Sequence, residues 1–277
     1  MRKIRLTAIL LGLLLMLAAV SGCGQNESSQ SAAASTGEGG DLLSQIQSRG
    51  EIIVAMEGTW APWTYHDESD VLVGYDVEVA QKIAEKLGVQ VTFVEGEWDG
   101  LLSGLDAGRY DIMVNGVDIT PERSEKYDFS TPYAYNRTAV IVSTENSDIQ
   151  TMEDLSGKHT ANTISSTYAE LAEQYGAEVT GVDDLNQTFE LLLSGRIDAT
   201  LNAEVTYYDY MKAHPDAGIK IATLAEDATQ VAIPMRKGED TAALRAAIDQ
   251  ALSELAEAGE LSALSQKYFG TDISKGE

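Results

Sequence analysis

Apolar residues in this chain fall into short runs and helical stripes that alternate from Glu51 onward. Glu51-Ile-Ile-Val-Ala-Met56 is a brief run rich in β-branched residues and predicts a first strand. Val79, Ala80, Ile83, Ala84 and Leu87 form one helical stripe, begun near Asp76 and closed by Gly88. Val89 to Val94 predicts the next strand, Gly100 to Gly108 the next helix, and Tyr110 to Val114 a buried strand that breaks at a glycine. Such β-α-β-α-β alternation predicts an α/β fold with a mainly parallel sheet and helices on its faces.

After Tyr133 the same style starts again. Thr138 to Ser143 predicts a strand, Met152 to Lys158 a short helix and turn, and His159 to Thr163 a strand. Thr167 with Glu170 reads as a capping box opening a helix. Leu185 to Leu193 predicts a helix, and Gly195 to Asn202 a turn and strand. Two similar lobes are expected. Val231 to Arg236 predicts a strand returning to the first lobe. Leu244, Ile248, Ala251, Leu252 and Leu255 then give a packing face on a helix to which no chemistry is assigned.

One stretch carries candidate chemistry. Thr120 suits a helix N-cap and Pro121 the first helical position, so Arg123 lies in the first turn, where the helix dipole is already positive. Something negative should compensate it, either an anionic ligand group or a neighbouring carboxylate such as Glu125. Asn115, Gly116 and Asp118 follow a predicted strand, and open α/β sheets bind ligands at that edge. Trp60, Trp63 and Tyr65 form an aromatic loop after the first strand, with Trp60 expected in a pocket wall and Trp63 in the core.

Charge and cysteine usage narrow the class. Over 277 residues the formal net charge is −25, which opposes nucleic acid and anionic membrane surfaces, so neither is an expected partner. The lone Cys23 excludes an intrachain disulfide, and the three isolated histidines give no zinc spacing; no metal and no cofactor are expected. Residues 1–22 have a basic start and an apolar run, Ile9 to Val20, short for a membrane span. The ending Val20-Ser21-Gly22-Cys23 resembles the lipobox of bacterial lipoproteins. That implies cleavage before Cys23, lipidation of its thiol and a lipid anchor in the cytoplasmic membrane; an ordinary secretory signal is the alternative. Residues 23–45 read as a flexible tether, reaching roughly 25 Å as a random coil of about 20 residues.

The motifs GYDVEVAQKIAEKL, WDGLLSGLDAGRYDIMVNGVDITPER and YDFSTPY together resemble the family 3 solute-binding proteins, the polar amino-acid receptors of bacterial ABC importers. The likeness runs from about Ile46 to Gly270. It implies a two-lobed, type II periplasmic-binding-protein-like fold, with lobe I at 46–133 plus 235–277 and lobe II at 134–234. The lobes would be joined by two hinge crossings, near Ser130–Ala134 and Gln230–Arg236.

In that resemblance Arg123 holds a ligand carboxylate, aided by N–H groups at Ser166 and Thr167. Asp118 and the Gly116 carbonyl take the ammonium, with Asn115 on the same edge. Trp60, Trp98 and Glu57 line the side-chain end. The family usually has an aspartate where this chain has Ala203, so Asp118 or Glu204 is expected to replace its charge. The implied ligand is a polar, cationic or cystine-like amino acid, the implied partner an ABC permease, and the expected state a monomer. A dehydratase of a prephenate-like acid and a ligand-sensing receptor subunit are the rivals.

Overall fold

The computed structural model describes residues 40–276. The leader, Cys23 and most of the expected tether lie outside the described residues. Helix α1 (Leu42–Arg49) begins within the last residues assigned to the tether. Asp41 caps it, and Leu42 and Ile46 are buried in the core, so the folded body starts a few residues earlier than expected.

Strand Glu51–Met56 is the centre of the first lobe's sheet, with Gln90–Glu95 parallel on one side and Ile112–Met113 parallel on the other. Helices α2 (Tyr75–Leu87) and α3 (Trp98–Asp106) make the crossovers between them. The stripe on α2 that the sequence predicts is the buried one, apart from a half-buried Leu87. Gly88 closes the helix at φ 72°, the left-handed conformation that glycine adopts without steric cost. The short helix α4 (Pro121–Lys126) then leads to the hinge.

In the second lobe, strands Glu178–Gly181, His159–Asn162 and Ala199–Ala203 run parallel, and Thr138–Ser143 and Ile219–Leu224 extend the sheet antiparallel. Helices α5 (Thr167–Gln174), α6 (Leu185–Leu193) and α7 (Glu204–Ala213) connect its strands. Ser166, not Thr167, caps α5: its hydroxyl accepts from Ala169 N–H at 3.2 Å. The helix starts one residue earlier than the predicted capping box, which leaves the Thr167 hydroxyl available to reach another group. Helices α8 (Ala242–Glu257) and α9 (Glu260–Phe269) return to pack against α2.

Two crossings join the lobes and lie side by side. Tyr127–Phe129 pairs antiparallel with Pro234–Arg236, and Ala134–Asn136 with Thr229–Val231. Between them, Ser130 N–H donates to the Ile233 carbonyl at 3.0 Å and Tyr133 N–H to the Val231 carbonyl at 2.9 Å. Beside this pair sits an aromatic core. Trp63, fully buried, stacks on Trp60 with ring centroids 5.3 Å apart and meets Tyr75 and Phe269. Truncating a ring packed this way costs about 3–5 kcal/mol.

Candidate functional site: a cleft between the lobes

Residues just past strand C-termini face one another across a cavity of about 540 Å³, part of it open to solvent. The first lobe contributes Glu57 from the end of Glu51–Met56, Trp60 from the aromatic loop, and Trp98 from the start of α3. Gly116 and Asp118 come from the turn after Ile112–Met113, and Arg123 from α4. The second lobe contributes Asn162 and Thr163 at the end of their strand, Ser166 to Tyr168 at the start of α5, Asp184 to Thr188 around the start of α6, and Asn202.

Arg123 is 8% exposed yet makes no salt bridge among the described residues; Glu125 is exposed and does not pair with it. Its guanidinium donates to two main-chain carbonyls, Asp118 at 3.2 Å and Ser165 at 3.1 Å, and lies 5.3 Å from the Trp98 ring centroid. Thr120 caps the helix as predicted, accepting from Arg123 N–H at 3.1 Å. Burial pulls the guanidinium below its ordinary pKa, partly offset by Asp118. A cation this enclosed, without a carboxylate partner, has unspent capacity for a planar anion.

Asp118 is the other buried charge. Thr167 Oγ1 donates to one carboxylate oxygen at 2.6 Å and Thr229 Oγ1 to the other at 2.7 Å. Burial pushes its pKa up, and these two hydroxyls and Arg123 pull it back. Each carboxylate oxygen can accept a further hydrogen bond. Glu57 is pushed up to about 7, first by burial and then by Asp184 and Asp99, against the pull of the Asn115 amide at 2.7 Å. The cavity wall therefore holds three carboxyl groups, Glu57, Asp118 and Asp184, against one arginine.

Four contacts close the cleft. Thr167 reaches Asp118, Trp60 Nε1 donates to Asn202 Oδ1 at 3.2 Å, and Arg123 donates to the Ser165 carbonyl. At the rim Ser165 donates through N–H and Oγ to Asp99 Oδ1 at 3.1 and 2.7 Å. Gly116 lines the wall at φ 55°, and a Cβ there would stand 2.6 Å from the Trp60 ring, so no larger residue fits.

Eight of the residues singled out from the sequence meet at this cavity: Arg123, Asp118, Gly116, Trp60, Glu57, Trp98, Ser166 and Thr167. Two do not. Asn115 is fully buried behind Glu57; its side chain accepts Glu57 N–H at 2.7 Å and donates to the Glu57 carboxylate. Glu204 does not line the cavity: it lies in the first turn of α7, where it accepts the Tyr208 hydroxyl at 3.2 Å. The third acid is instead Asp184, the N-cap of α6. It was not singled out, nor were Asn162, Thr163, Tyr168, Leu185, Thr188 and Asn202. The rule that found Asn115 to Asp118, applied to the second lobe's strand ends, finds Asn162 and Thr163 as well. Two buried polar atoms on cavity residues, Trp98 Nε1 and Asn162 Oδ1, have no partner among the described residues.

Residues 52–271 match the bacterial extracellular solute-binding proteins, family 3. The chain is 37% identical over 260 residues to the L-cystine-binding protein TcyA of Bacillus subtilis (strain 168), covering 94% of this chain and 95% of that one. Among solved structures it is similar to an ancestral arginine-binding protein bound to arginine, with 34% identity, TM-score 0.75, and coverage of 80% and 99%. It is also similar to the L-cystine solute receptor of Neisseria gonorrhoeae in its unliganded open conformation, with 40% identity but TM-score 0.59, and coverage of 86% and 100%. The liganded structure fits better despite lower identity, in keeping with the shut cleft described above. The chain thus belongs to the bacterial extracellular solute-binding proteins, family 3, and its fold is the two-lobed type II periplasmic-binding-protein fold.

Proposed function

We propose that this protein captures an amino acid by closing its two lobes and delivers it to the permease of an ABC importer. The observation that carries the reading is Arg123, a buried guanidinium on the cavity wall with no carboxylate partner among the described residues. A ligand carboxylate completes it, with the first N–H groups of α5 adding donors from the opposite lobe. Asp118 takes the ammonium through its remaining acceptor capacity. The lobes are proposed at 46–133 with 235–277, the first extended back to α1 at Leu42, and at 134–234, which puts the breaks near the two crossings.

The ligand is proposed to carry a second cationic group. After Arg123 and Asp118 are matched to an α-amino acid, Glu57 and Asp184 remain on the wall, and an ammonium or guanidinium answers them. L-arginine and L-cystine both bring one. The relatives named for arginine and for cystine support the same class. Glu57 and Asp184 are read as partners of that cation, and the site as one that binds without turnover.

A thermal-shift series tests this, because a ligand that binds only the folded state raises the melting temperature with its concentration. L-arginine or L-cystine should shift the protein strongly, and L-leucine and L-glutamate should not. A larger shift with L-glutamate would sink the charge argument. Product formed from a bound acid would sink the non-catalytic reading. We further propose that residues 1–22 are removed and Cys23 is lipidated, tethering the protein outside the cytoplasmic membrane. Cys23→Ala should release it from the membrane fraction, and mass spectrometry of the mature N-terminus should show acyl chains on Cys23.

A further inference from the structure

Asp76 is a buried acid that the capture chemistry leaves unused. It stands in the first turn of α2 with no exposed surface, behind the cavity wall rather than on it. One carboxylate oxygen accepts the Tyr133 hydroxyl at 2.7 Å, and the other accepts Gly116 N–H at 2.6 Å. Tyr133 lies in the first hinge crossing, and its own N–H donates to Val231 on the second. Gly116 lies on the cavity wall between Asn115 and Val117. One carboxylate therefore touches the hinge on one side and the ligand loop on the other.

The chemistry of the two contacts asks for this residue type. Both partners donate here, and an ionised carboxylate accepts from both; an amide accepts from Gly116 N–H but can meet the Tyr133 hydroxyl as well only if that hydroxyl turns round to accept. Burial, working against the pull of the two hydrogen bonds, leaves Asp76 raised to about 7. The loop it holds has little slack. The Gly116 φ of 55° and the closeness of the Trp60 ring mean that moving the Gly116 amide moves the wall against which Trp60 rests. The start of α2 is fixed in the same place, with Tyr75 N–H donating to the Pro62 carbonyl at 3.1 Å and Asp76 N–H to the Trp63 carbonyl at 3.0 Å.

We infer that Asp76 is a positioning residue that couples the hinge crossing at Tyr133 to the ligand loop at Gly116, so that the first lobe's half of the site is set by the state of the hinge. This rests on the capture reading, and the test separates the two. Calorimetric titrations with L-arginine and L-cystine compare the wild type with Asp76→Asn, Tyr133→Phe and the double variant. Each single change should weaken binding about tenfold, and the double should be little worse than the weaker single, because both break one network. Tyr75→Phe is the control. It removes a hydroxyl that donates to the Tyr133 carbonyl at 3.0 Å but leaves both donors of the carboxylate in place, so affinity should stay near that of the wild type.

A purely structural Asp76 predicts something else: lower melting temperatures of the ligand-free variants with unchanged affinities. That result, or additive losses in the double variant, overturns the coupling. Should Asp76→Asn not fold, Tyr133→Phe against Tyr75→Phe still decides, and equal affinities in the two overturn it. A wild type that responds to no amino acid overturns the capture reading and this inference together.

Discussion

The two walls of the cleft are built from different chemistry. The first lobe offers charge and large rings: Arg123, Asp118, Glu57, Trp60 and Trp98, all anchored to the sheet's C-terminal edge or to the aromatic core. The second offers mainly small neutral groups, Asn162, Thr163, Ser166, Thr167, Thr188 and Asn202, beside one ring, Tyr168, and Leu185, with Asp184 its one acid on the wall. The division follows from electrostatics. The buried charges sit on the lobe whose sheet edge and aromatic core hold their backbones, and closing adds to the hydrogen bonds that offset their desolvation, Thr167 on Asp118 and the Ser165 carbonyl on Arg123. Hydroxyls and amides tolerate being wet when the lobes part and need only modest gains on closing. The first lobe thus recognises, and the second seals.

Arg123→Ala is the sharpest way to break that division. Removing a desolvated, charge-assisted pair should cost about 3 kcal/mol, more than a hundredfold in affinity, while the fold survives. A ligand-induced thermal shift as large as the wild type's would take Arg123 out of the site.

The next largest effect is a pH dependence confined to the first wall. Glu57 is raised from 4.5 to about 7, so between those values the folded state holds a proton that the unfolded state has lost. Stability of the ligand-free protein should therefore fall as pH rises from about 5 to 8, on the order of 2 kcal/mol from this group. Asp76 adds to the same trend. Melting curves of Glu57→Gln should show a shallower fall; an identical slope would mean Glu57 is ionised throughout.

Smaller effects test the sealing wall. Thr167→Val removes the hydroxyl that bonds Asp118 across the cleft and should weaken binding by about 1 kcal/mol, chiefly through faster dissociation. Stopped-flow rates that change only in association would contradict a sealing role. Asp99→Ala at the rim loses an exposed clasp to Ser165 and should change affinity by less than about 1 kcal/mol. A larger loss there would move recognition out to the rim and erase the contrast between the walls.

Much of this was legible from local pattern. The stripe of α2, the Thr120 cap and Pro121 before Arg123, and the strand ends at Asn115 to Asp118 are all visible within a few neighbouring residues. The resemblance to solute-binding proteins carried Ser166 and Thr167, which no local signal raises above an ordinary helix start. What failed, failed at a distance. Glu204 looked as good a substitute for the acid missing at Ala203 as Asp118, but its direction along α7 is set by Tyr208. Asn115 is on the right edge, yet its side chain is used up in holding Glu57. Thr167 and Ser166 exchanged the capping role because only the packed helix decides which hydroxyl turns inward.

The sequence by itself determined the alternation of strands and helices, the two-lobe plan and the place of Arg123 in a first helical turn, since these rest on periodicity, on short-range capping and on motifs in register; that Glu125 does not pair with it was decided by the fold. Only the tertiary structure decided which carboxylates share the cavity with Arg123, that Asp184 rather than Glu204 is the third, and that Asp76 stands between hinge and ligand loop. Charges meet by folding segments together across 40 to more than 60 residues of chain, and their pKa values follow from the burial that folding creates.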